Sequence, residues 1–272
     1  MPAEPFTFRA MLGGCARGDI KSWQLFAKTY GSLAEHLLAK RFGGSRESLR
    51  SFLPNFFAYL SENGSAFLGE SSGLNEQEFA VFFQFRLFDY SRRCLGSIPP
   101  ARIGLATIDQ VFGKLPLAHQ EPGWLALKGY SNEVIGKVLR VPLSLVKVGR
   151  VEVMKELSEF ASPDEGSLML TDSLLVEVER LGGQNCPEIK TFCKVMDGRL
   201  PWQDKRIVEQ HISECRHCLE RETSLKDTMF HLRTLPPLSD EETQSLLSLI
   251  TLSKAATVSQ NTILKKLMRV FH

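Results

Sequence analysis

Three residues in the last third of the chain have the types and spacing of a metal site. His211, Cys215 and Cys218 form a His-x3-Cys-x2-Cys run. On a helix, residues four apart share a face, so His211 and Cys215 would lie side by side and Cys218 would follow within a turn. Imidazole nitrogen and thiolate sulfur together favour Zn²⁺. The spacing therefore predicts three ligands that converge on one zinc ion.

A fourth ligand would complete a Cys3His set, and two upstream cysteines are candidates. Cys186 and Cys193 are both near in sequence, whereas Cys15 and Cys94 are far away. A Cys3His set leaves no coordination position open, so we expect a structural ion rather than a catalytic one. The residues alone leave open which of the two cysteines completes the set.

The composition is that of a folded protein of two or three small domains. The chain has 272 residues, of which 43% are hydrophobic and 24% charged, and its net charge is +2. A nearly neutral chain is not a globally basic coat protein. A local basic patch can still bind nucleic acid even though the positive and negative charges of the whole chain nearly balance.

Neither secretion, membrane insertion nor catalysis is expected. The first residues lack the basic and apolar regions of a signal peptide, and no apolar stretch approaches the roughly 18 residues that span a bilayer. We therefore expect the reducing cytoplasm, where clustered thiols bind metals rather than form disulfides. The histidines show no partner pattern with a nucleophile or a carboxylate, so we expect no enzyme.

Apolar residues recur at intervals of three and four along much of the chain, and no sustained alternation predicts a strand. The pattern predicts an all-α protein with four segments, at 8–95, 107–160, 184–222 and 223–272. The first two are helical blocks, the third is the metal-binding module and the fourth is a helical tail. Gly, Pro and Ser mark linkers at 96–106 and 162–167.

Residues 131–160 have the pattern of a helix-turn-helix. Ser131 can cap a short helix with an apolar face, residues 140–142 turn the chain, and a longer helix begins at Leu143. In DNA-binding proteins with this motif the second helix enters the major groove. Two amphipathic helices joined by a turn also occur in ordinary helical bundles, so the pattern alone leaves a structural role open.

The metal-binding segment resembles the zinc-binding anti-sigma domain of bacteria over roughly residues 184–222. In that family a Cys opens a first helix, an Asp-Gly pair and a Leu end it, and a second helix carries His-x3-Cys-x2-Cys. The corresponding residues here are Cys186, Asp197, Gly198, Leu200, His211, Cys215 and Cys218. The resemblance implies that Cys186, rather than Cys193, is the fourth zinc ligand.

The two helical blocks resemble extracytoplasmic-function sigma factors. In the second block the likeness to region 4 rests on residues 112–116, 124–127, 129–131 and 133–136 (Phe-Gly-Lys-Leu-Pro, Trp-Leu-Ala-Leu, Gly-Tyr-Ser and Glu-Val-Ile-Gly). A more diffuse likeness to region 2 rests on residues 16–19 and 89–93. The resemblance implies that the helix after Pro142 reads promoter DNA, with Lys147, Arg150 and Lys155 as the DNA contacts.

The sequence departs from the sigma pattern at two places. Ser51 and Pro54 stand where the family has an acidic residue and a Gln in the helix that grips RNA polymerase. Gly149, Glu152 and Met154 occupy positions of the DNA-reading helix where Arg or Lys is common. Fewer phosphate contacts would weaken DNA binding and reduce its salt dependence.

These resemblances predict a sigma-factor-like transcription regulator with a fused anti-sigma-like zinc module, self-inhibited or gated by a signal. The partners would be core RNA polymerase and promoter DNA, and the sigma/anti-sigma contact would be intramolecular or intermolecular. A fused module would meet its target at an effective concentration near millimolar. The alternative is an interaction adaptor or anti-sigma-type regulator that keeps the fold without binding DNA.

Overall fold

The computed structural model describes residues 7–42, 46–62, 64–71, 73–95, 103–160 and 169–250. Within these ranges the chain forms helices, turns and loops but no strand. The predicted all-α class is confirmed. Most of the linker at 96–106, all of the linker at 162–167 and the tail beyond residue 250 lie outside the described residues. No described helix combines the length and apolarity required to cross a bilayer.

The chain divides into two compact units. The first comprises residues 1–39, 44–74 and 235–272, and the second comprises residues 40–43 and 75–234. The first unit contains α1 (Phe8–Ala16), most of α2 (Ile20–Phe42), α3 (Arg46–Glu62), α4 (Gly64–Ser71) and a helical stretch at 240–250. The second contains α5 (Glu76–Leu95), α6 (Leu105–Phe112), α7 (Leu117–Leu127), α8 (Asn132–Leu139), α9 (Leu143–Ser158), α10 (Asp172–Arg180), α11 (Ile189–Met196), α12 (Trp202–Glu214) and α13 (Arg216–Thr234).

The first unit is organised around α2. The apolar stripe of this helix is buried, and the Phe26 ring stacks on Tyr30 at 4.9 Å between centroids and meets Phe57 of α3 edge-on at 5.9 Å. Leu238 packs against Gly31, where a Cβ would lie 2.3 Å from its side chain. Residues 235–250 therefore return to the N-terminal helices instead of extending α13.

The helix-turn-helix pattern is present in the second unit as α8, a turn and α9. Ser131 caps α8 by accepting a hydrogen bond from the Val134 amide, and α8 ends at Arg140, whose φ of 56° is left-handed. Helix α9 packs closely along α7. At Gly149 an added Cβ would lie 2.9 Å from the His119 carbonyl oxygen, so backbone approaches backbone there.

Three positions of α9 that the sequence comparison singled out have different surroundings. Gly149 is buried against α7, Met154 packs on the core of the second unit, and Glu152 is 41% exposed with its carboxylate 2.5 Å from Nδ1 of His119. Gly149 and Met154 therefore face the protein, whereas Glu152 lies at its edge. An arginine at residue 149 would collide with the α7 backbone.

One apolar core joins the helix-turn-helix block to the metal-binding module. It contains buried side chains from α6, α7 and α9 together with others from α10 to α13, among them Phe112, Trp124, Val153, Phe192 and Leu219. Helix α5, placed by the sequence in the 8–95 segment, belongs to the second unit and packs against α13. The division by packing thus follows different boundaries from the four predicted segments.

A buried charge cluster links α7 to α13. Lys226 Nζ lies 2.5 Å from a Glu121 oxygen and 3.0 Å from a Glu222 oxygen. Burial, followed by the nearby Glu121 carboxylate, raises the pKa of Glu222 to about 8. The folded protein therefore keeps a proton on this carboxyl at neutral pH.

Replacement of Gly149 by Ala should destabilise the protein by about 1–3 kcal/mol, because the new methyl group must push α9 away from the α7 backbone. Urea unfolding of the two proteins measures the difference. Lys147→Ala, on the exposed side of the same helix, is the matched control and should change stability by less than about 0.5 kcal/mol. Equal stability of the Gly149→Ala variant and the parent protein would refute the close approach.

The free energy of unfolding should fall between about pH 5 and pH 8 because of Glu222. Its folded-state pKa of about 8 lies above the ordinary value of 4.5, so the folded state binds the proton more tightly and loses this advantage as pH rises. One proton contributes a slope of at most about 1.4 kcal/mol per pH unit. Glu222→Gln should remove this part of the slope, which urea titrations at several pH values will detect. Parallel pH profiles for both proteins would contradict the assignment.

Candidate metal centre

One loop and one helix junction supply the four donor residues. Cys186 lies in the loop between α10 and α11, in a turn in which its amide donates to the Gly183 carbonyl at 3.0 Å. His211 lies in the last turn of α12, Cys215 separates α12 from α13, and Cys218 lies in the first turn of α13. One ligand from a loop thus meets three from a helix junction.

The helix junction places its three ligands differently from the prediction. Cys215 has extended backbone angles, φ −113° and ψ 111°, so α12 stops there and α13 starts in a new direction. The Cys215 amide still bonds to the His211 carbonyl at 2.9 Å. The sequence indicated one helical face, whereas a break in the helix brings the three side chains together.

The four donor atoms are close enough to share one ion. The imidazole nitrogen and the three sulfurs all lie within 4.8 Å of one another, and Cys218 is fully buried. Cys186 Sγ is 3.9 Å from Cys215 Sγ, and His211 Nε2 is 3.2 Å from Cys218 Sγ. This Cys3His cluster could hold a metal ion.

Hydrogen bonds among the sulfurs favour the thiolate of one of them, Cys215. The hydrogen bond from the Cys218 thiol, together with the Cys218 amide and the Cys186 thiol, holds the pKa of Cys215 well below its usual range despite burial. The pKa of Cys218 is raised in turn, because its proton is shared with Cys215. The Gly183 amide also faces Cys186 Sγ, at 3.5 Å. Thiolates are the form that binds metal.

Of the two upstream cysteines, Cys186 joins the cluster and Cys193 does not. Cys193 is on α11, with 2% of its surface exposed, and packs in the apolar core of the second unit. Burial raises the pKa of its thiol to about 11. Cys193 therefore behaves as a small apolar side chain.

A buried arginine between the ligands anchors the junction to α6 and α7. Arg216 is 2% exposed, donates to the Gln120 side-chain oxygen at 3.1 Å and to the Ser213 carbonyl, and lies 3.4 Å from an Asp109 oxygen. The Gln120 amide nitrogen donates to the same Ser213 carbonyl at 3.0 Å. Both side chains thus satisfy a carbonyl that the end of α12 leaves free.

Sequence reasoning missed Arg216, because an arginine within a ligand motif is typically solvent-exposed and only its Gln120 partner, 96 positions away, explains its burial. The next residue, His217, is half-buried, and its ring lies against Gly182, where a Cβ would be 2.7 Å away. Burial lowers the pKa of His217, so this imidazole is neutral at pH 7.

The three predicted DNA contacts lie on α9 in unequal surroundings. Lys147 and Lys155 are exposed, whereas Arg150 is half-buried and donates to the Asn132 side chain at 3.1 Å. Lys147 and Arg150 also lower the pKa of Glu133 on α8, after the larger effects of its own amide and of Ser131. Glu133 therefore offsets part of their positive charge.

One run in the first unit has the sequence of a nucleophile elbow, Gly-x-Ser-x-Gly at residues 69–73. That motif requires a sharp turn between a strand and a helix that exposes the serine. Here Ser71 ends α4, is buried, and donates to the Leu68 carbonyl at 3.2 Å. Its surroundings are not those of a nucleophile elbow.

Comparison of the chain with protein-family models, curated proteins and solved structures finds no match in any of the three.

Replacement of Cys215 or Cys218 by Ser should release the metal from the purified protein. Four donors share about 10–16 kcal/mol of binding energy in small structural sites, so losing one removes roughly 3 kcal/mol, or about 100-fold in affinity. Elemental analysis after dialysis against a competing chelator measures the loss. Cys193→Ser is the matched control and should retain the metal. Loss of metal from Cys193→Ser as well would mean that the wrong upstream cysteine has been assigned, and retention of metal by Cys215→Ser and Cys218→Ser would refute the cluster.

Proposed function

We propose that the Cys3His cluster binds Zn²⁺ as a structural ion. A tetrahedral zinc site with bonds of about 2.3 Å to sulfur and 2.0 Å to nitrogen separates two sulfurs by about 3.8 Å and sulfur from nitrogen by about 3.5 Å. The distances of 3.9 Å and 3.2 Å here lie close to those values. Three sulfurs and one imidazole favour zinc over oxygen-seeking cations. With four protein ligands no position is left for a substrate.

We further propose that the protein is a sigma-factor-like transcription regulator held closed by its own anti-sigma-like zinc module. The single observation that supports this best is the path of α13. This helix carries the proposed zinc ligand Cys218 in its first turn and then packs along α7 and α8 of the helix-turn-helix block. In the anti-sigma family that the module resembles, such contacts cover the sigma surfaces, and here they occur within one chain.

Buried polar contacts hold α13 against α7 and the residues after it. Trp124 Nε1 donates to Glu220 at 2.6 Å, Lys128 Nζ lies 2.7 Å from Glu220, and the Tyr130 hydroxyl donates to Asp227 at 2.8 Å. Burial disfavours ionisation of Glu220, but Lys128 and Arg41 outweigh it and hold the pKa of Glu220 below its usual value. Removing one partner of such a buried ion pair typically costs about 3–5 kcal/mol.

Helix α10 covers a second part of the sigma-like sequence. Asp172, buried at 1% exposure, lies 3.1 Å from Arg92 and also pairs with Arg41, while Glu179 lies 3.0 Å from Arg92. Arg92 belongs to the 89–93 run that resembles the end of sigma region 2. These carboxylates therefore form ion pairs with Arg92, which an open sigma-like protein would present to a partner.

The second candidate function, an adaptor without DNA binding, is favoured by the outer face of α9. Val148 and Val151 are 46% and 64% exposed on this face, beside Lys147 and Lys155. Valine offers no hydrogen bond to base edges, so sequence readout would be limited to apolar contact with thymine methyl groups. Exposed apolar side chains next to lysines suit a protein partner better.

Glu220→Gln should loosen the contact of α13 with α7 and increase the affinity for a promoter-length DNA duplex several-fold. The amide preserves the size of the side chain but removes the charge that Lys128 faces, which weakens the contact by about 1.5–3 kcal/mol. Fluorescence anisotropy at two salt concentrations measures DNA binding, and pull-down with core RNA polymerase measures the second partner. Glu177→Gln, an exposed change on α10, is the matched control and should have no effect.

Adding Lys147→Ala and Lys155→Ala to the opened variant should reduce the salt slope of DNA binding by about two, since each phosphate contact contributes about one. Tyr130→Phe provides a milder opened form if Glu220→Gln lowers the folded fraction, which circular dichroism will report. DNA affinity that is absent in every opened form, with polymerase binding also absent, would leave the adaptor as the better description.

A further inference from the structure

A cleft of about 1300 Å³ lies within the second unit, between the helix-turn-helix block and the metal-binding module. Its walls come from α7, α8 and the turn after α8 on one side, and from α11, α12 and α13 on the other. The apolar part of the wall includes Val138, Met196, Met229 and Phe230. Ligand sites in proteins are concave, partly apolar spaces of about 300–1,000 Å³, so the cleft exceeds the size that a small molecule needs.

The cleft carries more positive than negative charge. Five cations line it, namely Lys137, Arg140, Lys205, Lys226 and Arg233, against the four carboxyl groups of Glu121, Asp197, Glu209 and Glu222. Lys226 and Glu121 neutralise each other, as do Lys205 and Glu209 at 3.4 Å. The carboxyl of Glu222 has its pKa raised to about 8 by burial and by Glu121, so it is largely uncharged at neutral pH.

Three of the lining cations, Lys137, Arg140 and Arg233, are exposed and make no ion pair within 4.0 Å in the described part of the chain. Arg233 is nevertheless near Asp197 of the same lining, because it adds to the hydrogen bond from Gln77 in lowering the pKa of that carboxyl. Lys137 lies in the last turn of α8, Arg140 in the turn that follows, and Arg233 near the end of α13. An anion in the cleft would therefore be attracted from both of its walls.

The backbone conformation of Arg140 is unusual for its residue type. Its backbone is left-handed, with φ 56° and ψ 43°, a conformation that glycine or asparagine adopts far more readily than arginine. Arg140 is the only non-glycine residue at positive φ within the described ranges. A strained backbone that persists with a long cationic side chain indicates a use for that side chain.

We propose that this cleft binds a small organic carboxylate with an apolar body. The carboxylate would lie among Lys137, Arg140 and Arg233, and the apolar body would pack on the partly exposed side chains of Met196 and Phe230. Because the walls belong to the two parts that α13 holds together, the ligand would also change how firmly they close. The ligand site stands on the cleft alone, whereas its role as the gating signal rests on the proposed function.

Titration calorimetry of the full-length protein with decanoate tests the site, with decanol as the uncharged matched ligand. Decanoate should bind saturably, and decanol should bind at least about tenfold more weakly, because it lacks the charge that the cations recognise. Arg140→Gly removes one cation and relieves the left-handed strain, so the variant should fold at least as well as the parent protein. It should bind decanoate about tenfold more weakly.

Lys155→Ala, an exposed cation on α9 that does not line the cleft, is the matched control and should leave decanoate affinity unchanged. Equal binding of decanol and decanoate, unchanged affinity in Arg140→Gly, or no saturable binding at millimolar decanoate would each overturn the site. DNA affinity measured with and without saturating decanoate tests gating separately. Saturable binding without any change in DNA affinity would support the site and overturn its role as a signal.

Discussion

The second unit depends on one break in helical continuity, at Cys215. If α12 continued as a helix through this residue, the start of α13 would follow the α12 axis. The extended backbone of Cys215 redirects the chain and exposes the last carbonyl groups of α12. Gln120 and Arg216 both donate to the Ser213 carbonyl, so the cost of the break is offset by buried side chains of α7 and α13.

Because the break also sets the direction of α13, the metal cluster and the helix-turn-helix share a structural element. The first turn of α13 contributes Cys218, and later turns bury Glu220 and Asp227 against Trp124, Lys128 and Tyr130. Buried charges of this kind tolerate the loss of a partner poorly, because the remaining group is left without solvent or counterion. The geometry of the ligand cluster and that of the helix-turn-helix are therefore mechanically coupled.

Much of the architecture could be predicted from the sequence, because helix periodicity and ligand spacing are local properties. The all-α class and the Cys3His residues follow from such patterns. The break at Cys215 could not be predicted, since His211 and Cys215 have the spacing of a continuous helix and the extended residue depends on Gln120, far away in sequence. Gly149 was interpreted as a missing arginine, whereas contact with the His119 backbone requires the small residue. That the chain is a cytoplasmic regulator rather than an enzyme remains a prediction.

The core shared by the two blocks also has a consequence for how such a chain can evolve. Trp124 and Glu220 are 96 positions apart and yet form one buried contact, so an accepted change at one position alters which changes are tolerated at the other. Substitutions in the helix-turn-helix and in the metal module should therefore appear in matched pairs when related sequences are compared. Exchange of either block between relatives by recombination would separate those pairs, which disfavours the modular shuffling that independently folded domains permit.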